Sequence, residues 1–114
     1  MYVKQLLGVE PYTWEGNTVY EPIKENLTTG LVVQCIEVNQ PSPMHSHSDV
    51  EQIYLISSGR GLVTVDGETV EVTPDDLVFI PAGADHCIAP AGGGRHLAYL
   101  TICHHHAVTK KQAG

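Results

Sequence analysis

The chain is a succession of short apolar runs, each closed after a few positions by turn residues, and this punctuation constrains its fold more than any other feature. The clearest unit is GLVTV, Asp66-Gly67, ETVEV: two alternating segments joined by Asp-Gly, a pair that strongly favours a two-residue β-hairpin turn. Gly30 to Asn39 (GLVVQCIEVN), Gln52 to Ile56, Leu77 to Ile80, His86 to Ala89 and Arg95 to Cys103 are rich in β-branched and aromatic residues and are short, so they read as strands. Pro81 and Pro90 end two of them. Val19 to Lys24 contains Pro22, which cannot donate to a sheet ladder, so this run is expected at a sheet edge. Tyr2 to Leu6 alternates weakly and reads as an edge strand or a swapped arm. Gly8 to Asn17 reads as turn-rich, with Tyr12 and Trp14 as anchors against a core or a partner subunit. Thr73 to Asp76 is a turn and Ala91 to Gly94 a loop. No segment has convincing helical periodicity, and many short strands with regular turn signals predict an all-β sandwich or barrel.

At 114 residues the chain is expected to form one domain spanning 1–114, with its core over about 30–103, an N-terminal arm at 1–29 and a polar tail at 107–114. Six basic residues against thirteen acidic ones give a formal charge of −7, which leaves no basic footprint for a nucleic acid. Cys35, Cys87 and Cys103 form no CxxC and leave one thiol over in any pairing, a pattern of reduced thiols. The start, MYVKQLLGVEP, lacks a signal-peptide core, and no apolar run approaches the length of a membrane span. The expectation is a cytoplasmic protein without a membrane partner.

Chemistry concentrates in MHSHSDVEQIYLISSG, residues 44–59. On a strand, residues i and i+2 share a face, so His45 and His47 stand side by side. Imidazole is the commonest metal ligand, and an isolated His-x-His is nonetheless usually two polar residues on a solvated face. Here an acidic and an amide candidate, Glu51 and Gln52, follow on an apolar strand, and a further histidine, His86, follows Pro81-x-Gly83 at the start of another.

These two stretches resemble the motifs of the cupin superfamily. The first reads H-x-H, three or four residues, E, six residues, G; here it is His45-x-His47, four residues to Gln52, six to Gly59. The second reads P-x-G-x2-H; here it is Pro81-x-Gly83-x2-His86. The resemblance covers about residues 30–103 and implies a double-stranded β-helix, a jelly-roll barrel with a metal inside. The sequence departs from the pattern at turn positions: Gln40 or a near neighbour stands where glycine leads the first motif, Asp75 where glycine leads the second, and Pro90 where asparagine closes the second. It also departs at the fourth ligand, where the spacing to Gly59 places Gln52 in the register of the usual glutamate. Glu51 would serve instead if the family's shorter spacing applied, at the cost of a strand shift, because adjacent residues face opposite sides. The implied ligand set is His45, His47, Gln52 and His86 around one divalent ion of iron, manganese, nickel, zinc or copper. A shell of three histidines and a glutamine is neutral and leaves the ion its full charge. The order H-x-H-x3-E-Q-I is similar to that of small pectin-degradation cupins, which act on unsaturated uronic acids.

The resemblance implies a metal-dependent enzyme for a small oxygen-bearing substrate, a sugar acid among the candidates, working by Lewis-acid or dioxygen chemistry. Tyr54 and Glu51 are then the acid–base candidates. The rival expectation is a non-catalytic module that binds a sugar or small acid, since fold alone does not separate the two. A homodimer formed through sheet edges or a swapped arm is expected. Of the remaining candidates, His104-His105-His106 reads as a polar strand end or a second metal site. Tyr99 reads as a cavity or core residue, Arg95 or Lys24 as a carboxylate clamp or surface charge, and Asp85 as a rim residue or support for His86. Cys87, next to His86 on a strand, faces away from the metal, Arg60 beside Gly59 reads as a solvated turn residue, and His96 belongs to no motif.

Overall fold

The structure, a computed structural model, describes residues 3–23, 30–92 and 96–105. They form nine strands: β1 (Tyr12–Trp14), β2 (Asn17–Ile23), β3 (Leu31–Val38), β4 (Val50–Ser58), β5 (Gly61–Val65), β6 (Glu68–Val72), β7 (Leu77–Ile80), β8 (His86–Pro90) and β9 (Leu97–His105). All pair antiparallel, in a six-stranded sheet of order β1-β2-β3-β9-β4-β7 and a three-stranded sheet of order β6-β5-β8. The fold is all-β, of the jelly-roll type expected. Among the described residues no helix is long and apolar enough to cross a membrane.

Period-two alternation builds the core. Ile36 and Val38 of β3, Tyr54 and Ile56 of β4, and Leu97 and Tyr99 of β9 point to the inner face and are buried. Val63 of β5 and Ile88 of β8 meet them from the smaller sheet. The registers Ile36↔Tyr99 and Ile56↔Tyr99 show why alternation fixes this arrangement: a one-residue slip would send the whole inner set to solvent.

Two turns explain the motif glycines. Gly59 has φ +75°, and a Cβ there would lie 2.6 Å from the His96 carbonyl oxygen and from Leu97 backbone atoms. Asp75, where the motif's other glycine is expected, also has a positive φ of 75°, and its N–H donates to the Ile56 carbonyl at 2.8 Å. Aspartate is among the few residues that tolerate this region, so the turn survives without glycine.

The strand expectations hold with shifted ends, and three points differ. Within the stretch read as turns, Tyr12–Trp14 form β1, joined to β2 by Glu15-Gly16, both at positive φ. This is a two-residue hairpin that only the pairing partner reveals. Residues 3–6, the described part of the expected N-terminal strand, form none; Val3 is 85% exposed and has no neighbouring strand to pair with among the described residues. Pro22 sits where the β2–β3 register shifts, beyond the last residue paired with β1, so β2 is an edge only over that part. Lys24, Arg95 and His106 lie outside the described residues.

Candidate metal centre

The two histidine stretches meet through the backbone. His45 N–H donates to the His86 carbonyl (3.0 Å), His86 N–H donates to the His45 carbonyl (2.8 Å), and Gly83 N–H donates to the His47 carbonyl (2.8 Å). The turn Pro81–Gly83 thus clips the His45–His47 loop to the start of β8. The ring centroids of His45 and His86 lie 4.2 Å apart, those of His45 and His47 5.1 Å, and those of His47 and His86 5.5 Å. One ligand nitrogen from each falls within 4.8 Å of the others.

Two tautomers follow from the backbone. His45 Nδ1 lies 2.8 Å from the Pro43 carbonyl oxygen and His86 Nδ1 lies 2.9 Å from that of Ala84. A carbonyl only accepts, so each Nδ1 carries the proton and each Nε2 presents a lone pair. His86 Nε2 is buried with no hydrogen-bond partner. Burial, then the neighbouring imidazoles of His45, His86 and His105, pushes His47 below the ordinary histidine pKa. Burial likewise pushes His86 down, against the opposing pull of its bond to Ala84. Both are held in the neutral form that ligates metals.

Gln52 is buried at 8% exposure on the inner face of β4, directly opposite Cys103 of β9. Its Nε2 donates to Cys103 Sγ at 3.3 Å, and its Oε1 is buried with no partner. The thiol orients the amide so that its oxygen is left unengaged in the wall it shares with His45 and His47. Glu51 faces the other way: its Oε1 lies 3.4 Å from His104 Nδ1 on the outer side of the sheet. Adjacent strand residues cannot share a face, so β4 brings Gln52 to the histidines and takes Glu51, offered as an acid–base group, away from them.

The cavity next to the histidines has a volume of about 240 Å³ and is walled by Trp14, Ile36, Gln34, Tyr54 and Tyr99 besides the groups above. An adjoining recess of about 260 Å³ shares Gln34, His47 and Gln52 and adds Glu21, Cys103 and His105. Gln34 Nε2 donates to Glu21 Oε1 (2.7 Å) and to the Tyr12 hydroxyl (3.2 Å), bracing the β2–β3 wall. Among the described residues no lysine or arginine lines either space. Tyr54 packs on Tyr99 with ring centroids 4.4 Å apart, and burial holds the hydroxyls of both protonated well beyond the usual tyrosine range.

Several groups escaped the sequence reading. Trp14 meets the His45 ring edge-on at 5.1 Å, placed there by the unforeseen strand β1. Cys103 occupies an inner position that the alternation of LAYLTIC shows, but its pairing with Gln52 is a register between distant strands. His104 lies on the outer side of β9, whereas His105, its last residue, borders the recess. Asp85 and His96 are exposed, Cys87 is half-buried, and Arg60 pairs with Glu71.

Residues 32–103 match the family described as the cupin domain. The chain belongs to the cupin family. An uncharacterized protein of Methanocaldococcus jannaschii is 34% identical over 89 residues, covering 74% of this cupin and 71% of that protein. A predicted oxalate decarboxylase from Thermotoga maritima superposes with a TM-score of 0.81 at 17% identity, covering 91% of this chain and 99% of that one. The cupin domain of Cnp3 from Schizosaccharomyces pombe gives a TM-score of 0.80 at 17% identity, over 96% and 78%. At that identity the two structures bear on the fold alone.

Proposed function

We propose that this cupin holds one divalent transition metal ion through His45, His47, His86 and Gln52 and acts on a small oxygen-bearing substrate beside it. The observation that carries this is the pair of orphaned buried atoms, His86 Nε2 and Gln52 Oε1. Each would cost about 1–3 kcal/mol if left unsatisfied; His86 offers a nitrogen within 4.8 Å of those of His45 and His47, and Gln52 lines the cavity that His45 and His47 also line. The donor set is neutral imidazole and amide oxygen, which suits iron, manganese, nickel, zinc or copper. When bound, such an ion supplies Lewis acidity to oxygen atoms entering the cavity, or dioxygen chemistry where the metal is redox-active.

The chain's own contribution is binding and exclusion. The His45 and His86 tautomers are fixed by Pro43 and Ala84, so no reorganisation precedes ligation. With no cationic side chain in the described walls, a substrate's carboxylate or hydroxyl would find its attraction at the centre and its packing on Trp14 and Ile36. Tyr54 keeps its proton, so it serves as a hydrogen-bond donor to a bound oxygen and not as a base. That same observation favours the second reading, a binding module, since neither Tyr54 nor the outward Glu51 offers a base inside the cavity.

The deciding measurement is metal content of untagged protein purified without added metal, beside His86→Ala. About one ion per chain, lost in the variant, is expected. Protein that neither carries metal nor takes it up on incubation would overturn the proposal. Conversion of a small-acid panel, followed by NMR on the loaded protein, separates enzyme from binding module.

A further inference from the structure

The recess beside the histidines holds a carboxylate that neither the core nor the metal reading uses. Asn17, Val19 and Glu21 alternate along β2 toward the inner face; the first two are buried and Glu21 is half-buried. Glu21 Oε1 accepts from Gln34 Nε2 at 2.7 Å, and Gln34 borders both the cavity and the recess. Glu21 borders the recess together with two of the proposed ligands, His47 and Gln52. Burial, then the charge of Glu21, pushes the Tyr12 hydroxyl up, so that hydroxyl keeps its proton. Among the described residues Glu21 is the only carboxylate lining either space, and no lysine or arginine pairs with it. A half-buried charge held by neutral groups alone is open to a cation.

We propose that this recess takes a small amino acid, its carboxylate on the metal ion and its ammonium group on Glu21. This deepens the metal reading and rests on it. The two ends of the recess differ in sign. A neutral shell of imidazoles and an amide leaves the ion its full charge, which draws a carboxylate. Glu21 repels a second carboxylate and draws an ammonium group. A carboxylate offers about four acceptor sites and Gln34 fills one, so sites remain for the three donors of an ammonium group. Gln34 also donates to the Tyr12 hydroxyl at 3.2 Å, which fixes the amide and through it the carboxylate before a ligand arrives. Val32 and Val50, which line the same recess, offer packing for the methylenes between the two ends. Its volume of about 260 Å³ lies below the range of pockets for drug-sized ligands, which fits a molecule of few atoms. A dicarboxylate is repelled at Glu21, and a sugar acid meets it with hydroxyls alone.

Isothermal titration calorimetry tests this on the full chain loaded with manganese, or with zinc where manganese is not retained. Glycine, β-alanine and 4-aminobutyrate are titrated beside acetate, propionate and butyrate, and bound metal is measured after each run. The amino acid of fitting length is expected to bind at least about tenfold tighter than the plain acid of the same carbon chain, the worth of a hydrogen bond between charged groups. Glu21→Gln keeps the side chain's shape and should abolish that advantage without weakening the plain acid. Glu21→Lys should invert the preference and favour succinate. Near-ultraviolet circular dichroism of Trp14 checks that each variant is folded, and Glu21→Ala replaces one that is not. A chain that retains neither metal overturns this proposal together with the metal reading. Three results on protein that does hold metal overturn this proposal alone. The first is that no amino acid binds tighter than its plain acid, as would follow if Lys24, outside the described residues, neutralised Glu21. The second is that folded Glu21→Gln keeps the whole advantage. The third is that chelator leaves amino-acid binding undiminished.

Discussion

If Gln52 is kept for a ligand and not for the fold, replacing it should change sign with the state of the site. Consider Gln52→Met, which keeps an unbranched side chain of similar size and drops both polar atoms. In chelator, wild type carries the Oε1 atom buried and unpartnered, a cost of about 1–3 kcal/mol. The variant removes that cost and forfeits the amide–thiol contact to Cys103 at 3.3 Å, a weak bond of about 0.5 kcal/mol. The metal-free variant should therefore be more stable by about 1–2 kcal/mol, raising Tm by roughly 5 °C per kcal/mol for a chain of this size. In excess metal the order reverses, because a loss of affinity of about a hundredfold removes about 2.8 kcal/mol of ligand-linked stability, more than the variant gains. Paired thermal melts by circular dichroism, with chelator and with saturating metal, measure both arms. A variant less stable than wild type even in chelator would refute the reasoning, making Gln52 an ordinary satisfied core residue. A variant that gains equally in both conditions would show that the amide is no ligand.

Two further perturbations test the scaffold. Gly59→Ala combines a φ of +75° with a Cβ 2.6 Å from backbone atoms of the β9 entry, so it should cost about 3 kcal/mol or more in denaturant melts. Gly67→Ala, at φ +83° with nothing within 4 Å of its Cβ, should cost only about 1–2 kcal/mol; similar losses at the two sites would mean that the close approach at Gly59 is unimportant. Native protein titrated with a thiol reagent at mildly alkaline pH should show one fast group, Cys87, and two slow ones. Cys35 and Cys103 are 5% exposed and burial raises the pKa of both, keeping them as thiols. Three fast thiols would contradict this packing.

What was legible in the sequence was local. The Asp66-Gly67 hairpin, the apolar alternation of β3, β4 and β9, and the two histidine stretches all carry their signal within a dozen residues. The spacing from Gln52 to Gly59 also chose between two neighbouring candidates, because a strand's period of two leaves only one of them inward. What was not legible depended on pairing at a distance. Tyr12–Trp14 contains only three residues and no alternation to detect, and it becomes a strand because β2 folds back on it through Glu15-Gly16. The thiol that orients Gln52 lies 51 residues away, in a register that no local residue specifies. Asp75 looked like a departure from the glycine pattern, yet it meets the same demand for positive φ by other means.

The backbone clip between the His45–His47 loop and β8 bears on how such a site would use a metal. Short zinc-dependent folds acquire their structure from the ion, so metal affinity there is folding energy. In this chain the reciprocal His45–His86 bonds, the Gly83–His47 bond and the two carbonyl-fixed tautomers assemble the histidines from protein contacts alone. The core on which they rest, Ile56, Ile80, Leu97 and their neighbours, is closed without them. The barrel then folds without depending on the ion, which adds only its ligand-linked contribution to stability when bound. A preassembled cluster also aims polar atoms at a ligand and not at protein partners, as His86 Nε2 and Gln52 Oε1 are, buried with no hydrogen-bond partner. Two such atoms cost a fold stability unless a ligand engages them, so their positions suit something other than folding.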